Sequence, residues 1–254
     1  MIINIDAYSI NCIDEGEGEA VLLLHGWGSN LKSFLNLINQ LKSKYRVLAF
    51  DYPGFGESSD LDRSFSIDDY VNITIKFLKE LNIDSVILVG HSYGGRIIIK
   101  LNSRNDLPFN ISKNVLIDSA GLKDKKDIKT KLKIYLFKTL KKITYLLPVK
   151  QSIKEQLEHS LKSKFGSNDY ASASKVLQET LVKSVNEDLT DLLPNMRETL
   201  LIWGDNDNVT PMWMADTMKK NISNSGLVVL HGGHFSYIDD PIIFSKVIDS
   251  YFRL

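Results

Sequence analysis

The sequence predicts an α/β protein: a mostly parallel, roughly eight-stranded twisted sheet with helices on both faces and a helical segment inserted after strand six. Three observations predict it. Short apolar runs at 21–24, 46–50 and 86–89 alternate with stretches of helical periodicity, and strands apolar throughout belong in a parallel sheet buried on both sides. Residues 86–95 pass from such a strand through a glycine-flanked serine straight into a helical pattern. Residues 121–194 then interrupt the alternation with lysine-dense helical spacing.

Taken in order, residues 2–13 alternate weakly and lead through Glu15-Gly-Glu-Gly-Glu19 into strand 21–24. A helix is expected over 31–43 and a strand over 46–50. Ser66-Ile-Asp-Asp69 has the form of a capping box, opening a helix with Tyr70, Ile73, Phe77, Leu78 and Leu81 on its apolar face. Strand 86–89, helix 94–103 and strands 114–118, 199–203 and 227–230 follow. Thr210-Pro211 and Asp240-Pro241 each read as an N-cap followed by proline at the first helical position. The core domain is expected at 1–120 and 195–254, with 121–194 as a helical cap ended by Pro194. Within the cap, Ile128, Leu132, Tyr135, Leu136, Leu140, Ile143 and Leu147 fall at helical spacing between lysines, and further helical stretches lie near 151–164 and 169–192. The favoured reading is a cap with its apolar face on the body and its lysines in water. The alternative is a basic helix that lies on an anionic surface or steers acidic substrates.

Composition excludes several classes. The chain has 254 residues, 43% hydrophobic and 24% charged, with zero net charge, so a broad nucleic-acid footprint is not expected. Cys12 is the single cysteine, which rules out an internal disulfide and a cysteine-based metal site. The first six residues lack the basic stretch and apolar core of a signal peptide, and no apolar run approaches the roughly 20 residues of a membrane span. These features lead to the expectation of a cytoplasmic enzyme on a small-molecule substrate, monomer or homodimer, without membrane contact, metal or cofactor.

The chemistry centres on Gly90-His-Ser-Tyr-Gly-Gly95. A serine lifted out of a sheet on a strand-to-helix turn needs small residues two before and two after it, which Gly90 and Gly94 supply. Gly95 is expected to let the helix lie close to the sheet. The helix N-terminus offers free N–H groups to a developing negative charge. A serine nucleophile also needs a base and an orienting acid. Of five histidines, His25 and His91 belong to turn motifs and His159 to a lysine-rich helix. His231 and His234 follow the last strand; His234 is favoured, coming after two glycines, with His231 structural. Among candidate acids Asp207, three past Gly204, has more reach than Asp205, which is expected to make an Asx-type turn; Asp118, ending strand 114–118, is a third candidate. In Leu24-His-Gly-Trp-Gly28 the Trp27 N–H is placed to act with that of Tyr93 as an oxyanion hole, and both side chains are candidates for lining the acyl pocket.

These blocks resemble the α/β-hydrolase superfamily, in its cap-bearing branch of esterases, epoxide hydrolases and carbon–carbon bond hydrolases. The matching segments are His25-Gly-Trp-Gly28, Asp51-Tyr-Pro-Gly-Phe-Gly-Glu-Ser58, the Ser92 elbow, Trp203-Gly-x-x-Asp207 with Pro211, and Gly233-His234, in order over nearly the whole chain. The resemblance implies a triad of Ser92, Asp207 and His234, an oxyanion hole from Trp27 and Tyr93, and loop-holding roles for His25 and Asp51. Serine at the elbow speaks against dehalogenase or epoxide hydrolase chemistry, which place aspartate there. The expected activity is a serine hydrolase of small carboxylic esters acting through an acyl-enzyme. One alternative is carbon–carbon cleavage or elimination on a carboxylated substrate, with Arg96, one turn past Ser92, on the carboxylate; its plainer role is a surface salt bridge. The other is a ligand receptor of slow turnover.

Overall fold

The computed structural model describes residues 1–123, Ile153 and 173–254. In it, strands β1 (Ile2–Ile5), β2 (Tyr8–Glu15), β3 (Ala20–Leu24), β4 (Arg46–Phe50), β5 (Ser85–His91), β6 (Asn110–Ile117), β7 (Thr199–Gly204) and β8 (Ser225–Leu230) form one sheet in the order β1-β2-β4-β3-β5-β6-β7-β8. From β4 to β8 every pairing is parallel, while β1 and β2 form an antiparallel hairpin joined antiparallel to β4. The single alternating run expected over 2–13 is thus two strands. Asp6, in the left-handed region at φ 54°, turns the chain between them, a conformation that aspartate tolerates better than most residues.

The helices are α1 (Leu35–Leu41), α2 (Ile67–Glu80), α3 (Tyr93–Asn102), α4 (Lys175–Asn186), α5 (Met212–Asn221), the single turn α6 (Ser236–Asp239) and α7 (Pro241–Phe252). Strand parity divides the core. Leu22, Leu24, Leu48, Phe50, Leu88 and Leu116 face the buried sides of α2, α3 and α5. Val21, Leu23, Val47, Val89 and Ile117 face α1 and α7. Side chains alternate across a strand, so strands that are apolar at every position bury both faces, as expected of a covered parallel sheet.

Local chemistry fixes several boundaries. The expected helix over 31–43 is a 3-10 turn, Leu31–Phe34, running into α1, and the Asn30 side chain accepts from the Lys32 N–H at its start. Ser66 and Asp69 form the expected capping box, each side chain accepting from the other's backbone N–H. Asp240 caps α7, with Pro241 at its first position. The matching expectation for Thr210-Pro211 is not met. Pro211 itself occupies the cap position of α5, because the Thr210 hydroxyl is engaged by Asp207.

The helices expected over 123–150 and 151–164, with His159, lie outside the described residues save Lys123 and Ile153. The last expected helix, 169–192, is α4, which stops at Asn186. There Asp188 turns the chain by accepting from the Thr190 N–H at 3.1 Å and the Thr190 hydroxyl at 2.6 Å. The Leu189 N–H donates to the Gly121 carbonyl at 3.0 Å, and Leu189 and Leu193 are buried in the core. Replacing Ser66 with alanine removes one half of the capping box. Urea unfolding should show a loss of about 1 kcal/mol; an unchanged midpoint would mean the box contributes nothing.

Candidate active site

The C-terminal ends of β3, β5, β7 and β8 converge on one cavity of about 520 Å³. Ser92 is the residue between β5 and α3, with its backbone at φ 49° and ψ −108°. A side chain in that conformation is strained, and the glycines around it make the turn possible. A Cβ at Gly90 would stand 2.7 Å from Ile98 Cδ1 and 2.8 Å from the Gly94 carbonyl carbon; one at Gly94 would overlap the Leu24 carbonyl at the end of β3. Gly94 is therefore the glycine that brings α3 onto the sheet. Gly95, expected in that role, instead makes room for Ser119 in the loop after β6.

Ser92, His234 and Asp207 lie in one hydrogen-bonded line. Ser92 Oγ is 2.8 Å from His234 Nε2, and His234 Nδ1 is 2.8 Å from Asp207 Oδ2. Asp207 also accepts from the Val209 and Thr210 N–H groups at 2.7 and 2.9 Å through Oδ1, and from the Thr210 hydroxyl at 2.6 Å through Oδ2. Burial pushes its carboxyl up, but the hydrogen bonds from His234 and Thr210 outweigh this and leave it below the usual carboxylate range. The Asx turn fixes the Asp207 carboxylate independently of its bond to His234. The expectation that Asp205 makes such a turn is corrected. Asp205 reaches across to the last loop, accepting from the Gly232 N–H at 3.0 Å and pairing at 3.0 Å with His231, whose side chain is 85% exposed. His231 thus ties two loops together on the surface, well apart from Ser92.

Asp118, the third candidate acid, makes no hydrogen bond to His234 among the described residues. Its carboxylate accepts from the Gly204 N–H at 2.8 Å, the Ser236 N–H at 3.0 Å and the Ser236 hydroxyl at 2.7 Å, joining the end of β7 to the segment after His234. Burial pushes it up to about 6 in spite of these bonds. His25 and Asp51 sit in the loops they were expected to hold. The His25 Nδ1–H donates to the Gly26 carbonyl at 2.8 Å and its Nε2 accepts from the Tyr52 N–H at 3.1 Å. Asp51 accepts from the Leu31 and Glu57 N–H groups and from Asn11.

Trp27 and Tyr93 both line the cavity, their rings packed edge to face with centroids 5.3 Å apart. Among the described residues, neither backbone N–H donates to a protein acceptor. The Tyr93 hydroxyl, buried, is 2.9 Å from Ser184 Oγ on α4. Arg96 also lines the cavity but is buried, which corrects the surface salt bridge expected of it. One guanidinium nitrogen donates to the Ser184 and Glu187 carbonyls, both at 3.0 Å, and burial draws its pKa down. Arg96 thereby satisfies carbonyls left open where α4 ends. Sequence reasoning missed this role, as it missed the bracing by Asp118, because each partner lies more than 80 residues away.

A sequence model of the Alpha/beta hydrolase family matches residues 21–246, and the chain belongs to that family. It is 25% identical over 256 residues to the uncharacterized hydrolase YugF of Bacillus subtilis, covering 92% of this chain and 90% of that one. A match at 29% identity to a Mycobacterium phage D29 protein named for non-heme haloperoxidase is partial, spanning 47% of this chain and 43% of the phage protein. Among solved structures, an esterase from Exiguobacterium antarcticum superposes with a TM-score of 0.75 and 25% identity over all of this chain and 98% of that one.

Two buried histidines give this region a pH signature. Burial lowers His25 from 6.5 to about 4 and His91 from 6.5 to about 3. Below pH 6.5 the unfolded chain therefore binds two protons that the folded chain refuses, and stability falls as pH falls. Asp118 acts oppositely, since the folded chain takes its proton near 6 and the unfolded chain only near 3.8. The exposed His231–Asp205 pair is screened by solvent and adds little. A net uptake of about one proton on unfolding between pH 6 and 4 predicts a loss on the order of 1 kcal/mol per pH unit. Urea titrations at pH 6.5, 5.5 and 4.5 measure this directly; flat or rising stability would contradict it.

Proposed function

We propose that the protein hydrolyses small carboxylic esters through an acyl-enzyme on Ser92. The observation that carries this reading is the 2.8 Å–2.8 Å line from Ser92 Oγ through His234 to Asp207, opening into a largely apolar cavity. Asp207 accepts the His234 Nδ1–H and so leaves Nε2 as the acceptor of the serine proton. Ser92 Oγ attacks the ester carbonyl as its proton passes to Nε2, and Asp207 stabilises the imidazolium. The oxyanion rests on the Trp27 and Tyr93 N–H groups, the second at the start of α3 where the helix dipole favours negative charge. His234 then protonates the departing alcohol. Water, deprotonated by the same imidazole, releases the acid. As part of this proposal, residues 121–194 form a cap, within which the α4 side chains Leu181 and Val185 stand on the cavity wall.

Hydrolysis of p-nitrophenyl esters from acetate to palmitate tests this reading. Turnover is expected to peak at one acyl length and fall as the chain outgrows the cavity. Ser92→Ala should lower kcat by on the order of 10³ or more, and His231→Ala should be mild beside His234→Ala. Near-normal turnover in Ser92→Ala would overturn the assignment.

A second reading has one observation in its favour. Arg96 and Lys123 line the cavity, and no carboxylate is among its described lining residues, so the local field favours an anionic substituent. On this reading the same serine serves a carboxylated substrate, including cleavage of a carbon–carbon bond. A p-nitrophenyl ester carrying a terminal carboxylate should then exceed its neutral isostere at least tenfold in kcat/KM, a gap of about 1.4 kcal/mol, and Arg96→Gln should erase it. Equal rates would leave the neutral ester as the better description.

A further inference from the structure

His234 sits in a loop without regular structure, between the end of β8 and the single turn α6. The loop is held on either side of it: the Gly232 N–H donates to Asp205, the Gly233 N–H to Asp239 and the Ser236 N–H to Asp118. At His234 itself the backbone tie is of another kind. The His91 Nε2–H donates to the His234 carbonyl at 2.7 Å. His91 is the residue immediately before Ser92, and it is buried, 2% exposed.

We infer that His91 is a positioning residue for the proposed reaction, setting the distance between the base His234 and the nucleophile Ser92 by holding the His234 carbonyl. The inference rests on the reading of Ser92 and His234 given above. Its physical content is a short ruler. One peptide bond separates His91 from Ser92, so the donor that fixes the base and the oxygen that the base must reach belong to the same rigid strand end. A shift of β8 or its loop relative to β5 acts on the 2.7 Å bond and the 2.8 Å contact between Ser92 and His234 together, so the bond resists displacement of the base.

The surroundings of His91 suit a fixed donor. Burial keeps the imidazole neutral, its pKa pulled down to about 3, so one ring nitrogen carries the proton and the other does not. The carbonyl at 2.7 Å requires that proton on Nε2, which leaves Nδ1 bare. Nδ1 lies over Gly26, where a Cβ would stand 2.8 Å from it and 3.3 Å from Ser92 Cβ. Thus Gly26, beside the proposed oxyanion donor Trp27, is the residue that makes room for this ring. The ring also packs on His234, Phe235 and Tyr237, with centroids 5.0, 4.9 and 5.2 Å away. A purely packing role would need those contacts and no N–H, and phenylalanine would meet it.

Three proteins therefore decide the matter: wild type, His91→Phe, which keeps an aromatic ring and loses the donor, and His91→Gln, which restores an N–H. The readouts are kcat and KM on p-nitrophenyl butyrate and the rate at which a fluorophosphonate labels Ser92. The expected result is a fall in kcat and in labelling rate of about tenfold or more for His91→Phe, as displacement of a catalytic group by a fraction of an ångström produces. KM should stay within about twofold, since His91, though on the cavity lining, is 2% exposed and presents little surface to a substrate, and His91→Gln should recover most of the rate. A folded His91→Phe protein that labels at the wild-type rate would overturn the inference, as would equal losses in both variants. Should His91→Phe fail to fold, the wild-type protein supplies the test by nitrogen-15 NMR. Neutral His91 must show the Nε2–H tautomer; the Nδ1–H tautomer, which cannot donate to the His234 carbonyl, would overturn the inference. Labelling of Ser92→Ala at the wild-type rate would instead strike the reading of Ser92 as nucleophile.

Discussion

The backbone of Ser92, at φ 49° and ψ −108°, is the constraint around which the site is organised. A non-glycine residue held there stores about 1–3 kcal/mol of strain. Its neighbours hold it from both directions. The Ser92 N–H donates to the Ile117 carbonyl of β6 at 3.0 Å, and the Ser92 carbonyl accepts from the Gly95 and Ala120 N–H groups, each at 3.0 Å. The sheet thus pairs with the elbow up to Ser92 itself, and the helix begins on the next residue. That conformation directs the hydroxyl out of the sheet into the cavity and leaves the first N–H of α3 without an acceptor among the described residues.

The remaining groups reach Ser92 along loops, which are held by buried acids and neutral histidines rather than by secondary structure. Asp207 is fixed by its own Asx turn, Asp118 joins the β7 end to the segment after His234, and His91 meets His234 from beneath. In a low-dielectric interior such a network is rigid only when its members are satisfied, and these carboxylates accept three or four hydrogen bonds each. The first turns of α3 extend the arrangement outward. Tyr93 and Arg96 contact Ser184 of α4, so the helix that begins after Ser92 also carries the wall of the cavity.

Much of this was legible in the sequence wherever the cause is local. The glycines at 90 and 94, the Ser66 capping box and the Asp240-Pro241 helix start are short-range chemistry, and each lies where the pattern put it. The grouping of Ser92, Asp207 and His234 follows from loops at the same end of the parallel strands β5, β7 and β8, with β6 between the first two. Legibility failed where a side chain answers to a distant partner. Thr210-Pro211 has the local form of a helix start, yet its hydroxyl is taken by Asp207. Arg96 has the spacing of an exposed helix residue, but the carbonyls at the end of α4 draw it inside. Asp205 looks like a turn former and instead crosses to the loop of His231. The break at Asp6 was hidden because both strands of the hairpin alternate weakly.

The central claim is that Ser92 Oγ becomes covalently acylated, and trapping that species tests it most directly. The protein would be mixed with excess p-nitrophenyl acetate, quenched in acid within milliseconds to seconds, and read by intact and peptide mass spectrometry. The account predicts one acetyl group per chain, on the peptide containing Ser92, that disappears as hydrolysis proceeds and never forms in Ser92→Ala. Turnover without any adduct, or an acetyl group carried by another residue while Ser92 stays free, would contradict it.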